Sequence, residues 1–289
     1  MTPELLSGLA RQRDLIDRRL RFLVPRALPG QTALDEAVAA SVLAPGKRLR
    51  PMMTVMVAMD LGGDVETAVD AGCAVEMVHA ASLTLDDLPA MDDATMRRGR
   101  PAVHAAYGED IAILASIAAL SGAFETLAKL SGASDQARAE SVAILARAVG
   151  VSGLVAGQFA DLREGAHARD VTDIAVTNSL KTGSLFSAAV EIGAVVSGAG
   201  HAARLELRRF ATEARPCLPA SRRPARPSRQ CRPHRQGRRQ GRRQVDHRLG
   251  HRPGVRPRPD RRACCRRAPP SRRIRRGEEL DAWLRRLHL

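Results

Sequence analysis

Asp86-Asp87-Leu88-Pro89-Ala90-Met91-Asp92-Asp93 places four carboxylates in eight residues at the end of an apolar stretch. At neutral pH such a cluster repels itself and calls for a cation. Oxygen ligands with no His or Cys among them select a hard ion, and Mg²⁺ takes one or two protein carboxylates together with the phosphates of a substrate. On this run alone, a solvated acidic helix end is the competing reading. Two basic clusters shift the balance: Arg97-Arg98-Gly99-Arg100-Pro101 just downstream, and Gly46-Lys47-Arg48-Leu49-Arg50-Pro51 upstream. Arg offers a planar fork to phosphate oxygens and Lys a point charge, so diphosphate is the simplest ligand that uses both clusters and the metal together.

Further polar groups sit on apolar segments. His79 lies two helical turns before Asp86 and shares its face, although a lone helical His is more often an ordinary residue. Lys181-Thr182-Gly183 interrupts the apolar stretch 177–196, and Gln158 and Asp161 stand one turn apart. Each is weak evidence singly.

The elements that must position these groups are helices. Residues 4–213 are rich in Ala and Leu, have no period-2 alternation, and repeat apolar residues at three- and four-residue steps. The pattern predicts helices near 4–23, 31–43, 47–61, 64–88, 108–130, 134–149, 151–165, 171–198 and 201–213, broken at Pro29, Pro45-Gly46, Gly62-Gly63, Gly99–Pro101 and Gly132. Aromatic residues make up only 2% of the chain, so the core must be built of Ala, Leu, Val, Ile and Met in close-packed helices. No apolar run of 18 residues stands out, since Ile111–Ala119 is short and Leu185–Val196 contains Glu191; no membrane span is expected. The first residues carry charges every few positions and lack a secretory pattern, so the cytoplasm is the expected location. Cys73 is the one cysteine before residue 214, which leaves no part for disulfides in the helical portion.

Charge divides the 289 residues into two unlike parts. Residues 1–213 hold 21 basic and 26 acidic side chains, whereas 214–289 hold 25 and 5, and all 25 are Arg. The second part also has 10 of the 17 prolines and almost no Leu, Ile or Val until Trp283, so it cannot bury enough surface to offset its ordering entropy and is expected to be disordered. Gly277 to Leu289 regains an amphipathic helical pattern too short to stand alone.

With these motifs in order, the chain resembles the trans-prenyl diphosphate synthases, and among them the bacterial geranylgeranyl diphosphate synthases of carotenoid pathways. The resemblance runs through residues 44–213. It covers Pro45 to Pro51, Glu76-Met77-Val78-His79-Ala80-Ala81-Ser82-Leu83, the longer form of the aspartate motif, Arg97-Arg98-Gly99, Tyr107-Gly108-Glu109, Gly157-Gln158 and Lys181-Thr182-Gly183. It implies an all-α isoprenoid synthase bundle around a central cavity, a homodimer, and condensation of isopentenyl diphosphate with an allylic diphosphate in the presence of Mg²⁺. It implies Asp86 and Asp92 as metal ligands and catalytic residues, with Asp87 and Asp93 nearby. Lys47, Arg50, His79 and Arg98 correspond to the isopentenyl diphosphate site; Arg97, Lys181 and Thr182 to partners of the allylic diphosphate, Arg97 and Lys181 being catalytic; and Gln158 and Asp161 to the cavity lining. Residues six apart on an unbroken helix point about 240° away from each other, so Pro89 and its neighbours must loop out to bring Asp86 and Asp92 to one side. Chain length in the family depends on the position five before the first aspartate. Here it is Ala81, followed by Ser82, small residues that leave room for a C20 product rather than the C15 product of a farnesyl diphosphate synthase.

The resemblance stops after residue 213, where the family carries a second aspartate motif and a Gly-Lys-Asp segment. This chain has Arg215-Pro216-Cys217-Leu218-Pro219 instead. Codons can be chosen for Arg235 to Leu249 that, read one base along, encode GKDVGKDVGKSTIV, and the same shift over Pro216 to Arg226 encodes LAFQLLDDLLD. Those are the missing segments in order. The sequence thus predicts that residues from about 214 to about 275 are translated out of frame, which also explains Arg without Lys, because CGN codons abound in GC-rich DNA. The domains are 1–213, a C-terminally incomplete synthase body, and 214–289, a basic tail. Without the second motif, activity of the chain as it stands is expected to be very low, and a non-catalytic partner of an intact synthase is the alternative. A different class, a nucleic-acid-binding protein using the Arg-rich tail, is disfavoured because Trp283 alone could stack on bases and no specific binding fold is present.

Overall fold

The computed structural model describes residues 3–163 and 179–214. Within them the order is α1 (Pro3–Leu23), α2 (Thr32–Val42), α3 (Leu49–Asp60), α4 (Val65–Asp86), a hairpin of β1 (Met96–Arg97) and β2 (Arg100–Pro101), α5 (Val103–Tyr107), α6 (Glu109–Ala128), α7 (Asp135–Val149), α8 (Leu154–Arg163), a π-helical turn (Ser179–Gly183), α9 (Ser184–Val196) and α10 (His201–Ala214). The fold class is all-α, as the periodicity required. The reading of residues 214–289 as a disordered, out-of-frame tail falls, beyond Ala214, outside the described residues.

α4 is the central element. Fifteen of its 22 residues are buried, and it is flanked by α1, α2, α3, α6 and α9. Small residues make that crowding feasible. A Cβ on Gly72 of α4 would lie 2.8 Å from Pro51 Cα of α3, and one on Gly193 of α9 would lie 2.6 Å from Thr54 O of α3. The larger apolar side chains fill what remains: Met53, Met77, Leu127, Leu145, Leu185, Phe186 and Ile192 are all fully or almost fully buried, each worth about 1.5–3 kcal/mol of transfer free energy. Cys73 is a free, buried thiol of this core, its pKa pushed well up by burial.

α4 begins with a favourable cap. Asp64 accepts from the Thr67 amide at 2.7 Å and from the Thr67 hydroxyl at 2.5 Å, which satisfies an orphan donor and sets negative charge at the positive end of the helix. α7 starts likewise, with Ser134 accepting from Ala137 N at 3.2 Å.

The structure corrects several expectations. Two stretches, Glu109–Ala128 and Asp135–Arg163, reach the length and apolar composition of a membrane span, where none was expected. The second is two helices, α7 and α8, divided at residues 150–153. The first, α6, is apolar through its Ile, Leu, Phe and Ala, and its buried positions are mostly Ala, Ser and Gly that permit close contact; a Cβ on Gly122 would fall 2.4 Å from Pro25 Cγ. Helix α3 starts at Leu49 rather than at 47, because Arg48 adopts φ 49°. The break at Gly99–Pro101 is part of a hairpin whose central residues Arg98 (φ 52°) and Gly99 (φ 78°) both take the positive φ that two-residue hairpins favour. The segment expected as a helix from 171 is described only from Ser179, and there as a π turn.

Candidate active site

The acidic run starts where α4 ends. Leu88 N bonds Leu85 O, Met91 N bonds Leu88 O at 2.9 Å, and Asp92 N returns to bond Asp86 O at 2.9 Å. Asp93 (φ 54°) and Ala94 close the loop through bonds to Leu88 O and Asp87 O. This is the looping-out that the six-residue spacing demands. It leaves carboxylates at the negative end of a helix dipole, with Asp86 9% and Asp87 2% exposed, an arrangement that costs stability unless cations oppose it.

Two cations do. Arg97 grips Asp87 in a bidentate pair, Nε to Oδ2 and Nη2 to Oδ1, both at 2.5 Å, and this bond first, with the nearby carboxylates, raises the guanidinium pKa. Lys181 Nζ lies 3.6 Å from Asp86 Oδ2 and 2.9 Å from Asp161 Oδ2. An ammonium thus stands between carboxylates from α4 and α8. Its place depends on the π turn, which packs so tightly on α8 that a Cβ on Gly157 would lie 2.4 Å from Lys181 N; inserted π turns recur at functional sites. Beside Gly157, Gln158 is buried, and its Nε2 has no hydrogen-bond partner among the described residues. The side chain of Thr182 lies outside the described residues.

The basic loop approaches from the other flank. Arg98 Nη1 donates to Pro45 O at 2.5 Å, and a Cβ on Gly46 would come 2.7 Å from that same nitrogen, so a larger residue there would have to displace the end of the Arg98 side chain. Lys47 is exposed. Arg50 Nε is buried without a partner, and burial, opposed by Glu76 and assisted by Arg98, lowers the Arg50 pKa. His79 sits beneath. Its pKa is held well below the usual value by burial and then by the charges of Arg50, Arg98, Arg97 and Arg48, so it is a neutral hydrogen-bonding group at pH 7. A cavity opens here, lined by Arg48, His79, Thr84, Asp87, Arg98 and Tyr107 among others. Ala81 and Ser82 are not on it: Ala81 is fully buried in the core, and the Ser82 hydroxyl donates to His79 O at 2.8 Å.

Of the residues singled out from sequence, Asp86, Asp92 and Lys181 meet at the end of α4, and His79, Arg50 and Arg98 gather around the loop that carries Lys47. Arg97 spends two donors on Asp87, which takes Asp87 toward a structural duty. Sequence reading missed Arg48, Glu76 and Asp87 as organising residues. Their partners lie 10 to 31 positions away, and no local signal announces them.

Mg²⁺ fits this donor set. Carboxylate oxygens are the donors such a hard ion takes, and Asp86 and Asp92 would hold it; among the described residues no group of three or more Asp, Glu, His or Cys side chains is poised to hold a metal ion. Lys181 already places one positive charge against Asp86 and Asp161.

Comparison with known proteins gives the family. The polyprenyl synthetase family model matches residues 31–214. Geranylgeranyl diphosphate synthase from Pantoea ananas is 47% identical over 201 residues, covering 68% of this chain and 66% of that protein. The enzyme of the same name from Pseudescherichia vulneris is 44% identical over 203 residues, covering 70% and 66%. The chain therefore matches slightly less than two thirds of the length of these relatives. Among solved structures, an FPP/GFPP synthase from Zymomonas mobilis superposes with a TM-score of 0.70 at 32% identity, covering 75% of this chain and 80% of that one. With the polyprenyl synthetase model matched over more than half of the chain and relatives above 40% identity, the chain belongs to the polyprenyl synthetase family.

Proposed function

We propose that this chain is built as a Mg²⁺-dependent prenyltransferase that joins isopentenyl diphosphate to an allylic diphosphate, with geranylgeranyl diphosphate as product. The observation that carries the reading is the pairing of the Asp86–Lys181–Asp161 cluster with the separate cationic loop of Lys47, Arg50 and Arg98. An acidic pole that would take diphosphate through a metal and a cationic pole that would take it directly suit two diphosphates. Mg²⁺ held by Asp86 and Asp92 would neutralise the departing diphosphate. Lys181 and the remaining Nη1 of Arg97 would hold that group from the protein side, with Gln158 Nε2 donating into the same space. Lys47, Arg50 and Arg98 would fix the homoallylic diphosphate, and neutral His79 would donate a hydrogen bond without adding charge. The allylic C–O bond breaks, the homoallylic double bond attacks the resulting cation to form a C–C bond, and a proton is lost. Apolar walls keep water from the cation. Ala81 and Ser82 are the positions whose small size favours C20 over C15.

A second copy of the chain suits the apolar face of α6, where Ile113, Leu114 and Ile117 are 42%, 50% and 53% exposed although other faces of that helix are in the core. We place the protein in the cytoplasm and read residues from about 214 to about 275 as out of frame, which removes the second acidic wall and leaves this chain with little turnover.

The test is an extension assay with labelled isopentenyl diphosphate, farnesyl diphosphate and Mg²⁺, run on this chain and on one with the frame restored. The restored chain should make C20 product and this chain only a trace. C15 as the end product from shorter primers would overturn the chain-length reading, and no prenyl transfer by the restored chain would overturn the function. Stimulation of an intact synthase by this inactive chain would favour the partner-subunit role.

A further inference from the structure

We propose that Arg48 is a positioning residue, which with Glu76 fixes the loop that presents Lys47 and Arg50 to diphosphate. The inference deepens the reading of that loop as a diphosphate site and rests on it.

Arg48 sits in the basic cluster yet is unlike its neighbours. Its side chain is 5% exposed. Nε donates to Asp17 Oδ1 at 2.8 Å, Nη1 to Glu76 Oε1 at 2.9 Å, and Nη2 to Ala44 O at 2.9 Å. The three acceptors belong to α1, to α4 and to the segment after α2. With all three nitrogens engaged inside the protein, the guanidinium offers no free fork to a ligand. Burial alone would lower its pKa, but Glu76 and Asp17 outweigh that and raise it, so the residue is a permanent buried cation. A buried charge so fully paired is expensive to break and makes a stiff joint.

The backbone supports the same duty. Arg48 takes φ 49° and ψ 37° just before α3, a left-handed conformation that Gly would adopt more easily. The side chain bonds hold the strained turn. That turn points Lys47 outward and starts α3 so that Arg50, two residues on, reaches the buried space beside His79 and Arg98. Arg98 fastens the loop once more at Pro45 O. Glu76 lies three residues before His79 on α4, so one carboxylate ties the loop to the helix face that carries the histidine. Arg50 and Lys47, in contrast, make no ion pair within the described residues. They are the donors left over for a ligand.

The experiment is a double-mutant cycle on the full chain, read as the affinity for inorganic diphosphate by calorimetry at pH 7.5. The proteins are the wild type, Arg48→Met, Lys47→Ala/Arg50→Ala, and all three changes together, each checked for its thermal midpoint. Arg48→Met should weaken binding about tenfold in the wild-type background, the lower end of the range for residues that orient a binding group. In the background lacking Lys47 and Arg50 it should change binding by less than about twofold, because the groups it orients are gone. Equal losses in both backgrounds, or none in the wild type, overturn the proposal. Arg48→Lys should not rescue, since an ammonium cannot span three acceptors on three elements. If Arg48→Met does not fold, Glu76→Gln takes its place in the same cycle with the same expected pattern. A wild-type chain with no diphosphate affinity overturns the site reading and this inference together. A wild type that binds, loses affinity with Lys47→Ala/Arg50→Ala and ignores Arg48→Met overturns the inference alone.

Discussion

The two ends of α4 are both acidic, and they do opposite things. At the start, Asp64 sits where the dipole is positive and its carboxylate accepts two bonds from Thr67. At the finish, Asp86 and Asp87 sit where the dipole is negative and must borrow Lys181 and Arg97 from elsewhere. The first arrangement lowers the free energy of the helix; the second raises it and is offset by the charges of Lys181 and Arg97. Charge placed against the dipole, with its opposing cations brought from distant elements, is thus the better marker of function.

Asp86→Asn gives the largest expected effect. Mg²⁺-dependent diphosphate affinity should fall about 100-fold or more, in line with the several kcal/mol a metal supplies to phosphate charge, while the metal-free thermal midpoint stays level or rises. A fall in midpoint with affinity retained would break the contrast between the ends. Gly157→Ala should come next. Its methyl would enter the space of Lys181 N, costing about 1–3 kcal/mol of stability by overpacking and weakening diphosphate binding as the π turn shifts; urea unfolding and calorimetry together check both.

Asp64→Ala should cost about 1 kcal/mol and leave diphosphate affinity unchanged, the converse of Asp86→Asn. The Asp64 pKa is depressed, first by the Thr67 hydroxyl bond and then by the Thr67 amide. Its stabilisation is therefore present above the ordinary carboxylate pKa and lost as pH falls through the lowered one, and the mutant should show a flatter acid limb. The smallest effect is expected at His79. Because its folded pKa lies below the unfolded value near 6.5, the unfolded chain binds the extra proton in the window just under pH 6.5, and stability should rise with pH there. His79→Gln should flatten that slope in midpoints measured from pH 5 to 7; an unchanged slope would place the dependence elsewhere.

Much of this was legible in the residues. The 3.6-residue apolar repeat located α1 to α4 and α6 to α8 within a few positions, because Ala- and Leu-rich helices end at visible Gly and Pro. The doubling back after Asp86 followed from a six-residue spacing that a straight helix cannot serve. Other features had no local trace. Arg48 reads as one more basic residue until Asp17 and Glu76 are seen around it, and Asp87 reads as a neighbour of the metal ligands until Arg97 closes on it from the hairpin. The hairpin itself was missed because Arg98-Gly99 is a weaker turn signal than Asn-Gly. The π turn at Ser179–Gly183 escaped because its register is set by the approach of Gly157, 20-odd residues earlier.

The central claim is that the far end of α4 is a metal-dependent diphosphate site. It is tested most directly by titrating inorganic diphosphate into the protein with and without Mg²⁺, alongside Asp86→Asn. The account predicts binding that strengthens at least tenfold with Mg²⁺ and a mutant in which Mg²⁺ makes no difference. Binding that ignores Mg²⁺ in the wild type, or a Mg²⁺ effect that survives in Asp86→Asn, would contradict it.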